Sequence, residues 1–124
     1  MSINPEIQDF INNYFEVIHK QDMNLFDQVF HKDCVLYSGQ NGDLVVRPYA
    51  LYREQVANRK SPFELGNTRR DQVLMVDELS PTTALVKLQL EMFGGVMQDY
   101  LNILKLDGKW IIIAKIYEQV GDAE

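Results

Sequence analysis

Two long apolar-rich segments that meet at Asp107-Gly108 constrain this chain more than any other feature. Val96 to Val120 reads VMQDYLNILKLDGKWIIIAKIYEQV. Asp-Gly between such runs is a strong hairpin signal, because tight two-residue turns need positive φ and these residues tolerate it. The stretch is expected to form the wall of a curved sheet. A second strand signal precedes it. From Thr83 to Phe93 the residues Ala84, Val86, Leu88, Leu90 and Met92 alternate with Lys87, Gln89 and Glu91, which predicts one buried and one wet face. Arg70 to Leu79 reads as a further strand, closed by a turn at Ser80-Pro81-Thr82 that keeps the proline outside the ladder.

The first half reads as helix. Asn4 can cap a helix with Pro5 at its first position and Glu6 in its first turn. Ile7, Phe10, Ile11, Tyr14, Val17 and Ile18 then recur at helical spacing as far as about Lys20. Asp22 is expected to cap a short second helix that buries Leu25, Phe26, Val29 and Phe30 and ends at His31-Lys32-Asp33. Cys34 to Ser38 is a short strand, and Leu44 to Arg47 pairs back on it across the Gly39 to Asp43 turn. Pro48 opens a third helix running to about Arg59, with Tyr49, Tyr52, Val56 and either Leu51 or Gln55 inward. Lys60 to Thr68, with Ser61-Pro62 and Gly66-Asn67, is an irregular crossover.

A chain of 124 residues with 46% hydrophobic and 24% charged residues fits one globular domain over 1–124. The net charge of −6 argues against a nucleic-acid or anionic-membrane surface, which needs clustered Lys and Arg. One cysteine, Cys34, fits a reducing compartment. No apolar run approaches the roughly 20 residues of a membrane span, and the N-terminus lacks the pattern of a signal peptide. The expected location is cytoplasmic. Neither His19 nor His31 has a second His or Cys at ligand spacing, so no metal and no cofactor is expected. Cys34 has no patterned partner and reads as a buried structural thiol.

Three helices followed by long strands predict an α+β domain, with a strongly curved mixed or antiparallel sheet wrapped around the long N-terminal helix. The short helix ending in Phe30-His31-Lys32-Asp33, and the strand Asp99-Tyr100-Leu101-Asn102-Ile103 running into Asp107-Gly108-Lys109-Trp110, resemble the nuclear transport factor 2-like superfamily. Within it, the chain most resembles the lumazine-binding branch, related to the SnoaL-like cyclases and the ketosteroid isomerases. That resemblance implies a cone with a pocket between sheet and helices, and commonly a homodimer through the back of the sheet.

The register of the terminal hairpin decides which residues line the cone. A two-residue Asp107-Gly108 loop pairs Leu106 with Lys109 and Asp99 with Ile116. A three-residue loop with a glycine bulge pairs Lys105 with Lys109 and Asp99 with Lys115. The bulged loop is favoured here, because it sets carboxylate opposite ammonium and turns Asp99 inward as in the isomerase relatives. Met97, Asp99, Leu101, Ile103, Ile111, Ile113, Lys115 and Tyr117 then face the cone. Tyr100, Leu104, Trp110 and Ile112 fall on an apolar back, which is the expected homodimer face.

Resemblance to the isomerases also places Tyr14 and Asp99 where those enzymes hold a developing enolate with a phenol and a protonated acid. The base that those enzymes carry on the following strand falls at Ser38, a hydroxyl that cannot abstract a proton from carbon. Classical steroid isomerisation is therefore not expected. Lys115 beside Asp99 favours an ionised carboxylate rather than a protonated acid. The pair reads first as a partly buried ion pair that supports the sheet and next as a ligand-orienting pair; Asp99 and Lys115 are also the catalytic candidates. Tyr14, Tyr37, Tyr49, Tyr52, Met92, Leu101, Ile113 and Tyr117 are the expected contacts of a small, flat, mostly apolar ligand. Three functions stay open: a small-molecule binding protein, ranked first; a cyclase, dehydratase or isomerase using Asp99, Lys115 or His31; and an interaction module whose cone is filled by its own side chains.

Overall fold

The computed structural model describes residues 2–124. Helix α1 spans Pro5–Lys20; the Asn4 side chain accepts from the Glu6 amide, and the helix ends at Gln21 in the left-handed region. Its apolar stripe is fully committed, with Ile7, Ile11, Tyr14 and Val17 at 0% exposure. Helix α2 spans Met23–Val29 under an Asp22 cap. Strand β1, Phe30–Ser38, starts directly after it. His31 therefore lies in a strand and not at a helix end: its Nδ1 accepts from the Asp33 amide at 3.0 Å. β-branched and aromatic residues from Phe30 onward favour the extended chain over a further helical turn. Strand β2 is Val45–Pro48 and helix α3 is Tyr49–Asn58. Strands β3, Gln72–Ser80, β4, Thr83–Met92, β5, Gly95–Leu106, and β6, Lys109–Asp122, complete the chain.

One mixed sheet runs β2-β1-β6-β5-β4-β3. Among the described residues, only the β1–β6 pair is parallel. The predicted β4 alternation holds: Ala84, Val86, Leu88 and Leu90 are buried, in one core with Phe10 and Phe15 of α1, Phe26 of α2 and Phe30 of β1. Phe26 stacks on Phe30 with centroids 4.4 Å apart.

The hairpin register differs from the one expected. Leu106 pairs with Lys109, so Asp107-Gly108 is a two-residue turn, with φ of 50° and 78°, as a type I′ turn requires. This sends Trp110 and Ile112 inward, to 6% and 0% exposure, so both are removed from the outer face to which the bulged loop assigned them. The bulge lies six residues further along the chain from the turn's start. Ile103 pairs with Ile112 and Asn102 with Ala114, leaving Ile113 as the extra residue of β6. Such an insertion inverts the alternation beyond it. Lys115 and Tyr117 consequently do face inward, as expected, but Asp99 lies opposite Tyr117, and Lys115 opposite Leu101. Ile111 and Ile113 fall on the outer side, contrary to the expectation. A second irregularity at Val120 adds to the bending of β6, and bulges of this kind give the sheet its curvature.

Candidate functional site

A carboxylate, a phenol and an ammonium meet in the middle of this core. Tyr14 is carried by the buried stripe of α1, Asp99 by the inner face of β5 and Lys115 by β6 just beyond its bulge. The Tyr14 hydroxyl donates to Asp99 Oδ2 at 2.5 Å. Lys115 Nζ stands 3.7 Å from the same oxygen, an ion pair longer than a hydrogen bond. Tyr14 is 0% exposed, and Asp99 and Lys115 are each 3% exposed. Among the described residues no hydrogen bond occupies Asp99 Oδ1.

Aromatic faces enclose the ammonium. Lys115 Nζ lies 5.4 Å from the Tyr14 ring, 5.5 Å from Tyr52 and 5.4 Å from Tyr117, within the range where ring quadrupoles attract a cation. Burial and the adjoining Asp99 carboxylate push the Tyr14 phenol well above its ordinary range. Tyr14 is thus a neutral donor at physiological pH. Burying a charged pair is a poor way to gain stability, because desolvation offsets most of the Coulomb attraction. A buried, closely coupled cluster of ionisable groups is accordingly a candidate site.

The other predicted residues divide. Tyr52 is buried against Lys115, and Leu101 at 0% exposure pairs with it across the sheet. Tyr117 is half-buried, and among the described residues its enclosed hydroxyl has no hydrogen-bond partner. Met92 packs at the edge of the core. Tyr37 is not at the site: it lies between the inward Leu36 and Ser38 and pairs with the exposed Ile116, so strand alternation turns it outward. Tyr49 leans on Phe26 at the surface and donates to Asp27. Ser38 is inward and 4% exposed, and its Oγ accepts from the Gln40 amide at 3.3 Å. Cys34 is buried, and burial pushes its thiol up to about 11.

The site is closed. Surface depressions lie elsewhere, such as a groove of about 260 Å3 between α1, α2 and the β5–β6 turn, lined by Glu6, Asp9, Gln28 and Trp110. Two cations escaped the sequence reading. Arg47 on β2 lies 5.6 Å from the Tyr117 ring. Arg59, just after α3, donates from Nε to Gln21 and lies 4.9 Å from the Phe93 ring. Arg47 could have been found by following the sheet across, since it pairs with Leu36, which pairs with Lys115. Arg59 gives no periodic signal.

No helix among the described residues is long and apolar enough to cross a membrane. The fold is shared with solved structures. An NTF2-like protein of unknown function from Shewanella baltica matches with a TM-score of 0.76 at 21% identity, covering 91% of this chain and 90% of that one. A ketosteroid isomerase-like protein from Erwinia carotovora atroseptica matches at 0.64 with 13% identity, covering 94% and 95%. By sequence, the aldolase FrzH of Cladobotryum sp is 44% identical over 110 residues, which is 84% of this chain and 81% of that protein. A family model described as "Putative lumazine-binding" matches residues 3–118. With that match spanning nearly all of the chain, it belongs to this lumazine-binding-like family, on a fold that it shares with NTF2-like proteins.

Proposed function

We propose that the protein binds a small carbonyl compound over Tyr14, Asp99 and Lys115 and catalyses aldol-type chemistry through an enolate. The observation that carries this reading is the buried group itself. Tyr14 and Lys115 both engage Asp99 Oδ2, and Oδ1 is left uncommitted. An uncommitted carboxylate oxygen beside an ammonium supplies a base and an electrostatic partner for the charge that base creates. Asp99 Oδ1 takes the proton from the carbon next to the carbonyl. The C–H electron pair becomes the enolate double bond, and the carbonyl π pair moves to oxygen, where Lys115 balances the charge. The enolate carbon then attacks a second carbonyl carbon, and the new alkoxide receives the proton from Asp99. The identity to an aldolase supports this choice over other enolate reactions. Entry requires the half-buried Tyr117 side of the core to open, since the three groups are sealed as they stand.

The test is deuterium exchange. Purified protein in D2O is mixed with cyclohexanone, acetaldehyde or pyruvate, and incorporation next to the carbonyl is followed by NMR. Exchange faster than buffer is expected, with a loss of at least 100-fold for Asp99→Asn and Lys115→Met, in line with general acid–base contributions of about 10²–10⁴. Borohydride trapping separates the roles of Lys115. A reduced adduct on the lysine would replace electrostatic assistance by a covalent imine. Wild-type exchange at the buffer rate would remove the reaction.

A second reading is binding without turnover, favoured by the aromatic rings around Lys115 and by the family's description. It predicts a saturable affinity for a flat ligand, with no exchange. In either case we propose a homodimer through the outer sheet face that carries Tyr100, Leu104 and Ile116.

A further inference from the structure

One hydroxyl beside the site has no task inside the fold. Tyr117 Oη is enclosed by protein and, among the described residues, has no hydrogen-bond partner. A buried donor left unpaired costs stability, and native structures rarely keep one without a reason. The residue as a whole is half-buried, so solvent reaches other parts of it and not the polar tip. The phenol therefore enters the cone hydroxyl first.

Its position ties that hydroxyl to the reactive group. Tyr117 is the cross-strand partner of Asp99, so the two side chains rise from adjacent points of the inner face. Lys115 Nζ lies 5.4 Å from the Tyr117 ring. The Arg47 guanidinium reaches the same ring at 5.6 Å, and Arg47 belongs to the same face, because it pairs with Leu36, which pairs with Lys115. Negative charge formed beside this ring thus meets two cations. The phenol on α1 cannot take the same part. Tyr14 has one proton to donate, and it is committed to Asp99 Oδ2 at 2.5 Å. Of the three rings around Lys115, Tyr117 is the one whose hydroxyl is both enclosed and, among the described residues, unpartnered.

We propose that Tyr117 is the oxyanion donor of this site: its hydroxyl donates a hydrogen bond to the substrate's carbonyl oxygen as Asp99 Oδ1 removes the neighbouring proton. This rests on the enolate reading above and adds a catalytic residue to it. As the carbonyl π pair moves to oxygen, the hydrogen bond from Tyr117 strengthens and the phenol keeps its proton. Asp99 remains the base, and the proton it takes is the one it returns. A donor held in place before the charge develops, in a site closed to water, stabilises the transition state more than the ground state. The carbonyl oxygen also gives the hydroxyl the acceptor that the fold withholds.

Tyr117→Phe in the full chain tests it, with Tyr37→Phe, which removes a hydroxyl from the outer face, as the control. The reaction is exchange into cyclohexanone, acetaldehyde or pyruvate, whichever the wild type exchanges fastest. Tyr117→Phe is expected to lower kcat by tenfold or more, toward the roughly 10²–10³ lost with one oxyanion donor, and to leave KM within threefold. Its urea midpoint should equal or exceed that of the wild type, because the lost hydroxyl has no partner in the fold. Tyr37→Phe should match the wild type in kcat and KM. A smaller fall in kcat, a loss carried by KM, a lowered urea midpoint, or an equal fall with Tyr37→Phe overturns the inference and leaves Asp99 and Lys115 in their proposed roles. Wild-type exchange at the buffer rate with all three compounds removes the enolate reading and this one with it.

Discussion

At the scale of single residues, the central group couples stability to protonation. Tyr14 keeps its proton more tightly when folded than when unfolded, because burial and Asp99 disfavour the phenolate. The stability that this contributes is present in full below the unfolded phenol's value near 10 and is lost as pH rises through the raised folded value. Tyr14→Phe should remove that alkaline dependence from urea unfolding curves recorded between pH 8 and 11. At pH 7 it should cost roughly 1.5–3 kcal/mol, the range for a hydrogen bond to a charged group. The ion pair predicts a different pattern. Asp99→Asn or Lys115→Met alone leaves one buried charge without its counterion and should cost about 3–5 kcal/mol. The double variant should cost less than the sum, and additive losses would show that the two groups do not interact. Cys34 has the opposite character, as an inert thiol. With its value pushed up to about 11, it should react with a thiol reagent at pH 8 only as fast as the protein unfolds, so native-state labelling at the rate of free cysteine would contradict its placement.

At the scale of elements, the helices and the β4 alternation were legible because each rests on local chemistry: an Asn4 cap, a 3.6-residue stripe, a two-residue period. The faces of β6 were not. A turn at Asp107-Gly108 and an inward Lys115 looked mutually exclusive, since strict alternation from a two-residue turn puts Lys115 outside. The chain meets both conditions by spending Ile113 in a bulge, and nothing in IIIAKI marks which isoleucine is the extra one. Trp110 and Ile112 were misassigned for the same reason, and Tyr37 because the phase of β1 could not be tied to helix α3 from spacing alone. Turn chemistry offers the direct check. Gly108 has φ of 78° with open space around it, so Gly108→Ala meets no clash and pays only for the left-handed backbone, roughly 1–2 kcal/mol. A loss in that range by denaturant unfolding, with unchanged spectra, would confirm that the turn sets the register without reaching the site.

At the scale of the whole molecule, the outer sheet face is where the proposed dimer would form. The two-residue turn takes Trp110 and Ile112 off this face, and a continuous row remains across it. Tyr37, Ile116, Tyr100 and Lys87 pair in sequence over four strands, and Ile116 and Tyr100 are 50% and 43% exposed. Lys87 covers the Tyr100 ring at 5.3 Å, which shields one end only. Ile111 and Leu104, half-buried on the same side, extend the row toward the turn. An apolar strip of this length on a sheet whose inner face is already filled is the feature expected of a subunit interface. Because the core is complete without it, breaking the dimer should leave each subunit folded. Ile116→Glu and Tyr100→Glu are expected to shift sedimentation from two copies to one without changing the far-UV spectrum, since both side chains point away from Asp99 and Lys115. A wild type that sediments as a single copy at high micromolar concentration would remove the interface and leave the closed site on β5 and β6 to account for the function by itself.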